Sequence, residues 1–505
     1  MMRRLSLFFT GLVVMAACTQ APKGTVTVRE PDSPFVAFTV WVKAGSQNDP
    51  AGKEGLAALT ANLLSDGSTT EDTYDQILAK LYPMAAGYGY NVDKEMTVFT
   101  GRVHKDNLDA YYTLFSNALL KPAFDERDFE RVKSQTLNFL ERSRRYNRDE
   151  ELSKELLFWM AYRGTLYEHP EEGYVESVRS ITLDDVRTFY ESYYVANNIV
   201  VGLGGGYEMP LAQRVRDDFD TLPTADITPV PAPEPRMPSG VEVLIVEKET
   251  DASSISFGFP TDLRRGHEDF WAMVAANAWF GSHRESFSHL YQVIRERRGM
   301  NYGDYSYIEA YPLGYTTQVP PTNVSRRSQL FEIWIRPISQ TAPGNLHDRT
   351  LFATRAAWRE LGLLVDDGMT EETLETTQQF LRNYVLNWSA TVNRRLAYAV
   401  DDAFYGLNPG YLASIRAGIA ALTLDQVNTA IRRHLQDQNM YVVFITANAE
   451  AMKQKLLSGT PTPITYAGEK SAEHMAEDEA IASFPIPVAA ENITIIGINE
   501  AFERK

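Results

Sequence analysis

The sequence predicts an α+β fold built from two copies of one unit, and three observations carry that prediction. ITLDDV at 181–186 with NIVVG at 198–202 returns as LTLDQV at 422–427 with NMYVV at 439–443, both shifted by 241 residues. Just upstream, Gly173, Tyr174, Ser177, Val178 and Arg179 recur as Gly410, Tyr411, Ser414, Ile415 and Arg416 at a shift of 237. Between the copies runs TLPTADITPVPAPEPRMPSG (221–240), whose proline density reads as an extended, semi-rigid surface linker. Conserved spacing across a helix-like and a strand-like element is the mark of a structural repeat.

The first 17 residues read as a signal peptide: Arg3 and Arg4, an apolar run over 5–15, then Ala16 and Ala17 before Cys18. The run is too short to span a bilayer stably. Its end resembles a bacterial lipobox, which would make Cys18 the lipidated first residue of the mature chain, with 18–26 as a tether. Thr19 in place of aspartate implies the outer membrane, facing the periplasm. Cys18 is also the only cysteine, so an intramolecular disulfide and a cysteine nucleophile or metal site in the body are excluded.

The body follows in order. TVTVRE (25–30) and FVAFTVWVKA (35–44) are strand-like, the second with clear alternation. A Gly/Asn/Asp/Pro loop leads into GLAALTANLLSDGS (55–68), whose apolar residues recur three and four apart as in a helix. A second helix is expected over 73–81, a strand pair over 87–103, and amphipathic helices over 107–120 and 125–145. The domains are then 27–220, the linker 221–240, a second copy over 241–457 and a tail over 458–505. In that tail His474, Glu477 and Asp478 read as a charge-rich exposed face. His283, Glu285 and His289 do not share a helical face, and the glycines at 202–206 lack the order of a phosphate loop.

With 505 residues, 44% hydrophobic and 23% charged, the chain is ordinary soluble globular material. A net charge of -17 excludes nucleic acid, and electrostatic docking on anionic lipid, as partners.

The stretch 55–68 resembles the pitrilysin (insulinase) family of zinc metallopeptidases, in which G-L-A-H-x-x-E-H followed by G-[TS] carries the inverted zinc motif. The three chemical positions here are Ala58, Ala61 and Asn62. They stand at i, i+3 and i+4 on one helical face, where two imidazoles and a catalytic carboxylate would converge. Alanine offers no lone pair, and the Asn62 amide is a weak partner for zinc. The family's third ligand falls roughly 75 to 80 residues further on; in that window Glu141 is the lone carboxylate.

SHLYQVIRERRGMNYG (288–303) resembles the family segment in which an arginine and a tyrosine seven residues apart touch the substrate backbone. The matching residues are Arg295 and Tyr302, while Arg298 reads as a solvated charge. The resemblance covers 27–457 and implies two insulinase-like halves, each an antiparallel sheet with helices packed on it, in a clamshell arrangement. It also implies a function: a zinc-less, substrate-binding subunit of a heteromeric peptidase, with zinc only in the partner, acting on peptides in the cell envelope. The alternatives are a core-type scaffold without any peptidase role and, last, an active peptidase with a substituted site.

Overall fold

Strand β2 (Phe35–Val42) is buried along almost its whole length, and its alternate residues enter two different cores. Val36, Phe38, Val40 and Val42 belong to one hydrophobic cluster, Ala37 and Trp41 to another. A strand covered on both faces reads as a near-continuous apolar run, broken here only by Thr39. The rest of the molecule supplies the two covers.

The structure, a computed structural model, describes residues 24–282, 285–309, 322–337 and 345–503. Cys18 lies outside them. With β1 (Thr25–Arg29), β3 (Gly87–Val92), β4 (Thr97–His104) and β5 (Ile199–Gly205), β2 forms a sheet of order β1-β5-β2-β4-β3. The second sheet is built from β6 (Val241–Glu247), β7 (Ser254–Thr261), β8 (Asn301–Tyr307), β9 (Gln329–Pro337), β10 (Met440–Thr446) and β11 (Ile493–Gly497). Its order, β11-β6-β10-β7-β9-β8, repeats the first with one strand added. The helix Leu183–Tyr193 and β5 correspond to the helix Leu424–His434 and β10, again 241 residues on. Each of these helices starts at a threonine capping box, Thr182 with Asp185 and Thr423 with Gln426.

The sheets are mixed, which corrects the antiparallel expectation. β1 pairs with β5, and β6 with β10 and β11, in parallel. β1 and β5 come from opposite ends of the first half, so the chain returns between them through helices, the long crossover a parallel pair requires.

Each half lends the other a helix. Asp149–Tyr162, from the first half, lies on the back of the second sheet, where Leu152, Leu156, Leu157 and Met160 meet Leu244, Val246, Tyr441, Val443 and Ile445. Val392–Tyr405, from the second half, lies on the back of the first, where Leu396 and Val400 meet Ala37, Trp41, Met96 and Val98. Two of the glycines at 202–206 find their reason here: a Cβ on Gly202 would stand 2.7 Å from Val400 Cγ2, and one on Gly204 3.1 Å from Val392 Cγ2. They let the lent helix approach the strand.

Between the halves Glu95, 2% exposed, accepts hydrogen bonds from the Arg326 and Arg327 backbone N–H groups (3.1 and 3.0 Å), Arg327 Nε (2.8 Å) and the Tyr167 and Tyr405 hydroxyls (2.5 and 3.0 Å). Three further expectations change. β1 begins at Thr25, as the strand-like run 25–30 predicts, and so shortens the tether given as 18–26. Residues 221–240 carry no helix or strand, yet the segment is pinned: Ala225 N–H donates to Asn197 (3.1 Å), Arg327 to the Val230 carbonyl (2.6 Å) and Arg236 N–H to Ala161 (2.7 Å). The 458–505 segment is no loose tail, since it supplies β11 and the helix Ala472–Ala482 to the second half.

Candidate functional site

The helix Leu56–Asp66 starts at Gly55, whose φ of 97° is left-handed and favours glycine. A Cβ there would stand 2.5 Å from the Glu172 carbonyl oxygen, so the helix start is pressed against the 172–173 backbone. The half-buried Asp49 carboxylate accepts from Gly55 N–H and Ala57 N–H, both at 2.7 Å, and thereby caps the helix from the preceding loop. Burial pushes that carboxyl well up, against these two hydrogen bonds.

On this held helix Ala58 is 7% exposed, Ala61 fully buried and Asn62 half-buried. Buried Asn62 Oδ1 accepts no hydrogen bond among the described residues. Two methyl groups and one amide do not make a zinc site, and zinc does not fit the donor set. Glu141 is engaged elsewhere, in an ion pair with Arg179. Beside the helix lies β3, the outer strand of its sheet, with Tyr88 and Tyr90. Burial, and then the charge of Asp66, push both phenols up. The sequence reading did not single out these tyrosines; alternating GYGYNV was the available signal.

Arg295 sits in a π-helical turn, Tyr291–Glu296, half-buried with its guanidinium 4.7 Å from the centre of the Tyr291 ring. Such turns recur at functional sites. The turn packs on β8, the outer strand of the second sheet, which carries Tyr302; the Tyr302 side chain is outside what the structure describes. Buried Asp304 on the same strand is pushed well up by burial, opposed by a hydrogen bond from Asn301 and by the Arg295 charge. Arg295 and Tyr302 thus lie on neighbouring elements of one half, and Ala58, Ala61 and Asn62 on the other.

Arg298 is not solvated. Its side chain is fully buried and donates to Asp478 Oδ1 and Glu477 Oε2, both at 2.8 Å, and to the Val293 carbonyl at 2.7 Å. This corrects two readings at once, because Glu477 and Asp478 face inward rather than forming an exposed run. Asp478 also accepts from the Tyr466 hydroxyl (2.6 Å), which lies 2.9 Å from His474 Nε2. No periodicity in the tail could reveal a partner almost 180 residues away.

Residues 25–171 match the model of the insulinase family (peptidase family M16), and residues 180–381 match that of the peptidase M16 inactive domain. The chain belongs to the M16 (insulinase) family. Among M16 relatives, it is 22% identical over 402 residues to an uncharacterized zinc protease, YmxG, of Bacillus subtilis, covering 79% of this chain and 90% of that one. It is 22% identical, again over 402 residues, to the non-peptidase homolog YmxG of Helicobacter pylori, covering 78% and 84%. A shorter match, 20% over 190 residues, covers 37% of this chain and 40% of the beta subunit of the mitochondrial-processing peptidase of Dictyostelium discoideum. The crystal structure of a peptidase M16 inactive domain from Pseudomonas fluorescens shares the fold, with a TM-score of 0.72, 22% identity, and 85% and 97% of the two chains covered. Within this family the chain is an inactive-type homologue: the frame of the motif is in place and its ligands are not.

Proposed function

We propose that this M16 homologue is the non-catalytic, substrate-binding subunit of a two-chain zinc peptidase acting on peptides in the cell envelope. The carrying observation is the retained frame around Leu56–Asp66, whose shape persists while all three chemical positions lack a metal ligand. Two strand edges that are open among the described residues support a peptide-binding role. Among the described residues β3 is paired on one side only, so its outer edge can take an added strand. Beside the other edge, β8, stands Arg295. Its guanidinium and the Tyr302 hydroxyl suit peptide carbonyls, which they grip without reading side chains and polarise in a water-poor site. The partner contributes the zinc and the general base. Relatedness to a chain that is one subunit of a processing peptidase supports the pairing.

The test is kinetic. The chain alone hydrolyses no peptide. Reconstituted with a zinc-bearing homologue, Arg295→Ala or Tyr302→Phe lowers turnover by about 10²-fold while the complex stays assembled. Arg295→Lys is impaired as well, since an ammonium lacks the planar fork. The control is Arg297→Ala, an exposed residue whose ion pair spans 3.5 Å. Full activity in both Arg295→Ala and Tyr302→Phe would leave the chain a scaffold; chelator-sensitive hydrolysis by the chain alone would refute the proposal. For the location, Cys18→Ser is expected to move the protein from the membrane fraction to the soluble one, because acyl chains are the attachment of this acidic protein.

A further inference from the structure

His267, Asp269 and His434 meet in the second half, on elements other than the turn that carries Arg295. His267 is in the turn after β7, Asp269 directly precedes the helix Phe270–Gly281, and His434 is the last residue of Leu424–His434. One ligand atom from each of the three lies within 4.8 Å of the others. The imidazoles cross at 87° with centres 5.0 Å apart, and His434 Nε2 is 2.9 Å from Asp269 Oδ2. Ligand atoms bound at about 2.0–2.2 Å to one tetrahedral ion stand roughly 3.3 Å from each other, so a small outward movement of this pair admits one.

Four further features suit a cation. Asp269 occupies the capping position of its helix, yet its side chain makes no capping hydrogen bond. The carboxylate is turned instead toward His434 and Arg433. Behind His434, the Asp262 carboxylate lies 3.4 Å from Nδ1. Without metal, Nε2–H donates to Asp269; when an ion binds, Nε2 gives up that proton, and a carboxylate beside Nδ1–H is then the outer-sphere arrangement of many metal-bound histidines. The C-terminal end of Leu424–His434 adds the negative pole of a helix dipole. Finally, a cleft of about 840 Å³ lined by Asp262, Arg433 and His434 gives access to an otherwise buried imidazole.

We propose that His267, Asp269 and His434 bind one divalent transition-metal ion of the zinc class, with Asp262 orienting His434 from behind. Two imidazoles and a carboxylate select such ions over magnesium and calcium, which prefer all-oxygen sites. The ion ties the turn after β7 to the end of a helix more than 160 residues later. It is independent of the inactive motif. Arg433 competes for the site: its Nη1 is 2.6 Å from Asp269 Oδ2, but half of its side chain is exposed and it also reaches Glu268 at 3.1 Å, so it can withdraw toward solvent.

The test uses the full chain stripped of metal and titrated with cobalt and zinc by calorimetry and visible absorption. Expected are one ion per chain, a cobalt band of low-coordinate type, and no binding of magnesium or calcium. His267→Ala, and His434→Gln, which keeps a donor toward Asp269, each weaken binding by at least about tenfold, and Asp262→Asn does so by about tenfold. Arg433→Ala tightens it. Asn62→Ala leaves it unchanged, with folding of every variant checked by circular dichroism. Absence of a stoichiometric cobalt band, or binding indifferent to both His267→Ala and His434→Gln, overturns the proposal and leaves the cluster an ion pair between two helices.

Discussion

Glu95 and Arg298 are single charges on which whole elements depend. Removing the Glu95 carboxylate strands buried donors from both halves at once, two backbone N–H groups and the Arg327 guanidinium among them. Glu95→Ala is therefore expected to lower the unfolding free energy by about 3–5 kcal/mol, read by denaturant titration. Arg298→Ala leaves Asp478 buried without its cation, and a loss of about 3 kcal/mol is expected in the same measurement. At this scale the sequence is least informative. Ala58, Ala61 and Asn62 are legible because a helix fixes their common face over five residues. Glu95 and Arg298 are not, because their partners arrive from distant segments that no local period connects. The same holds for His434, 165 residues from Asp269.

The lent helix Asp149–Tyr162 buries charge as well as leucine. Lys154, 4% exposed, lies over the rings of Tyr307 and Trp334 at 4.9 and 5.0 Å, close to Glu332 on β9. Burial pushes the Glu332 carboxyl from 4.5 to about 7, with the Lys154 charge and a Ser256 hydrogen bond opposing. A raised carboxyl binds its proton more tightly in the folded state. Its contribution is thus complete below about pH 4.5 and is lost as the pH rises through about 7. Glu332→Gln, which imitates the protonated form, is expected to flatten thermal stability across that window and to exceed the wild type at pH 8. A steeper profile in the variant would contradict the assignment. The sequence reading did not single out this helix, and no local pattern could give its destination. Periodicity tells that a face is apolar, whereas the sheet it covers is decided by topology. For the same reason Gly202 and Gly204 of β5 made sense only once Val392–Tyr405 lay on them.

For the whole molecule, duplication is the feature the sequence displayed most openly, because the offset of 241 residues survives in both capping boxes and both strands. The exchange of helices was hidden from it, and it makes the two copies mutually dependent. Residues 24–240 expressed alone leave Ala37, Trp41 and Val98 uncovered, and residues 241–503 alone leave Leu244, Val246 and Val443 bare. Each half is expected to aggregate or to bind hydrophobic dyes, and the two mixed are expected to recover a soluble complex. A soluble, cooperatively unfolding first half by itself would contradict this. The exchange also sets a timetable for biosynthesis. The back of the first sheet waits for a helix that leaves the ribosome only after residue 405, when four-fifths of the polypeptide has been made. Completion of either half is therefore a late event in the life of the nascent chain, whose apolar sheet backs stay uncovered until then.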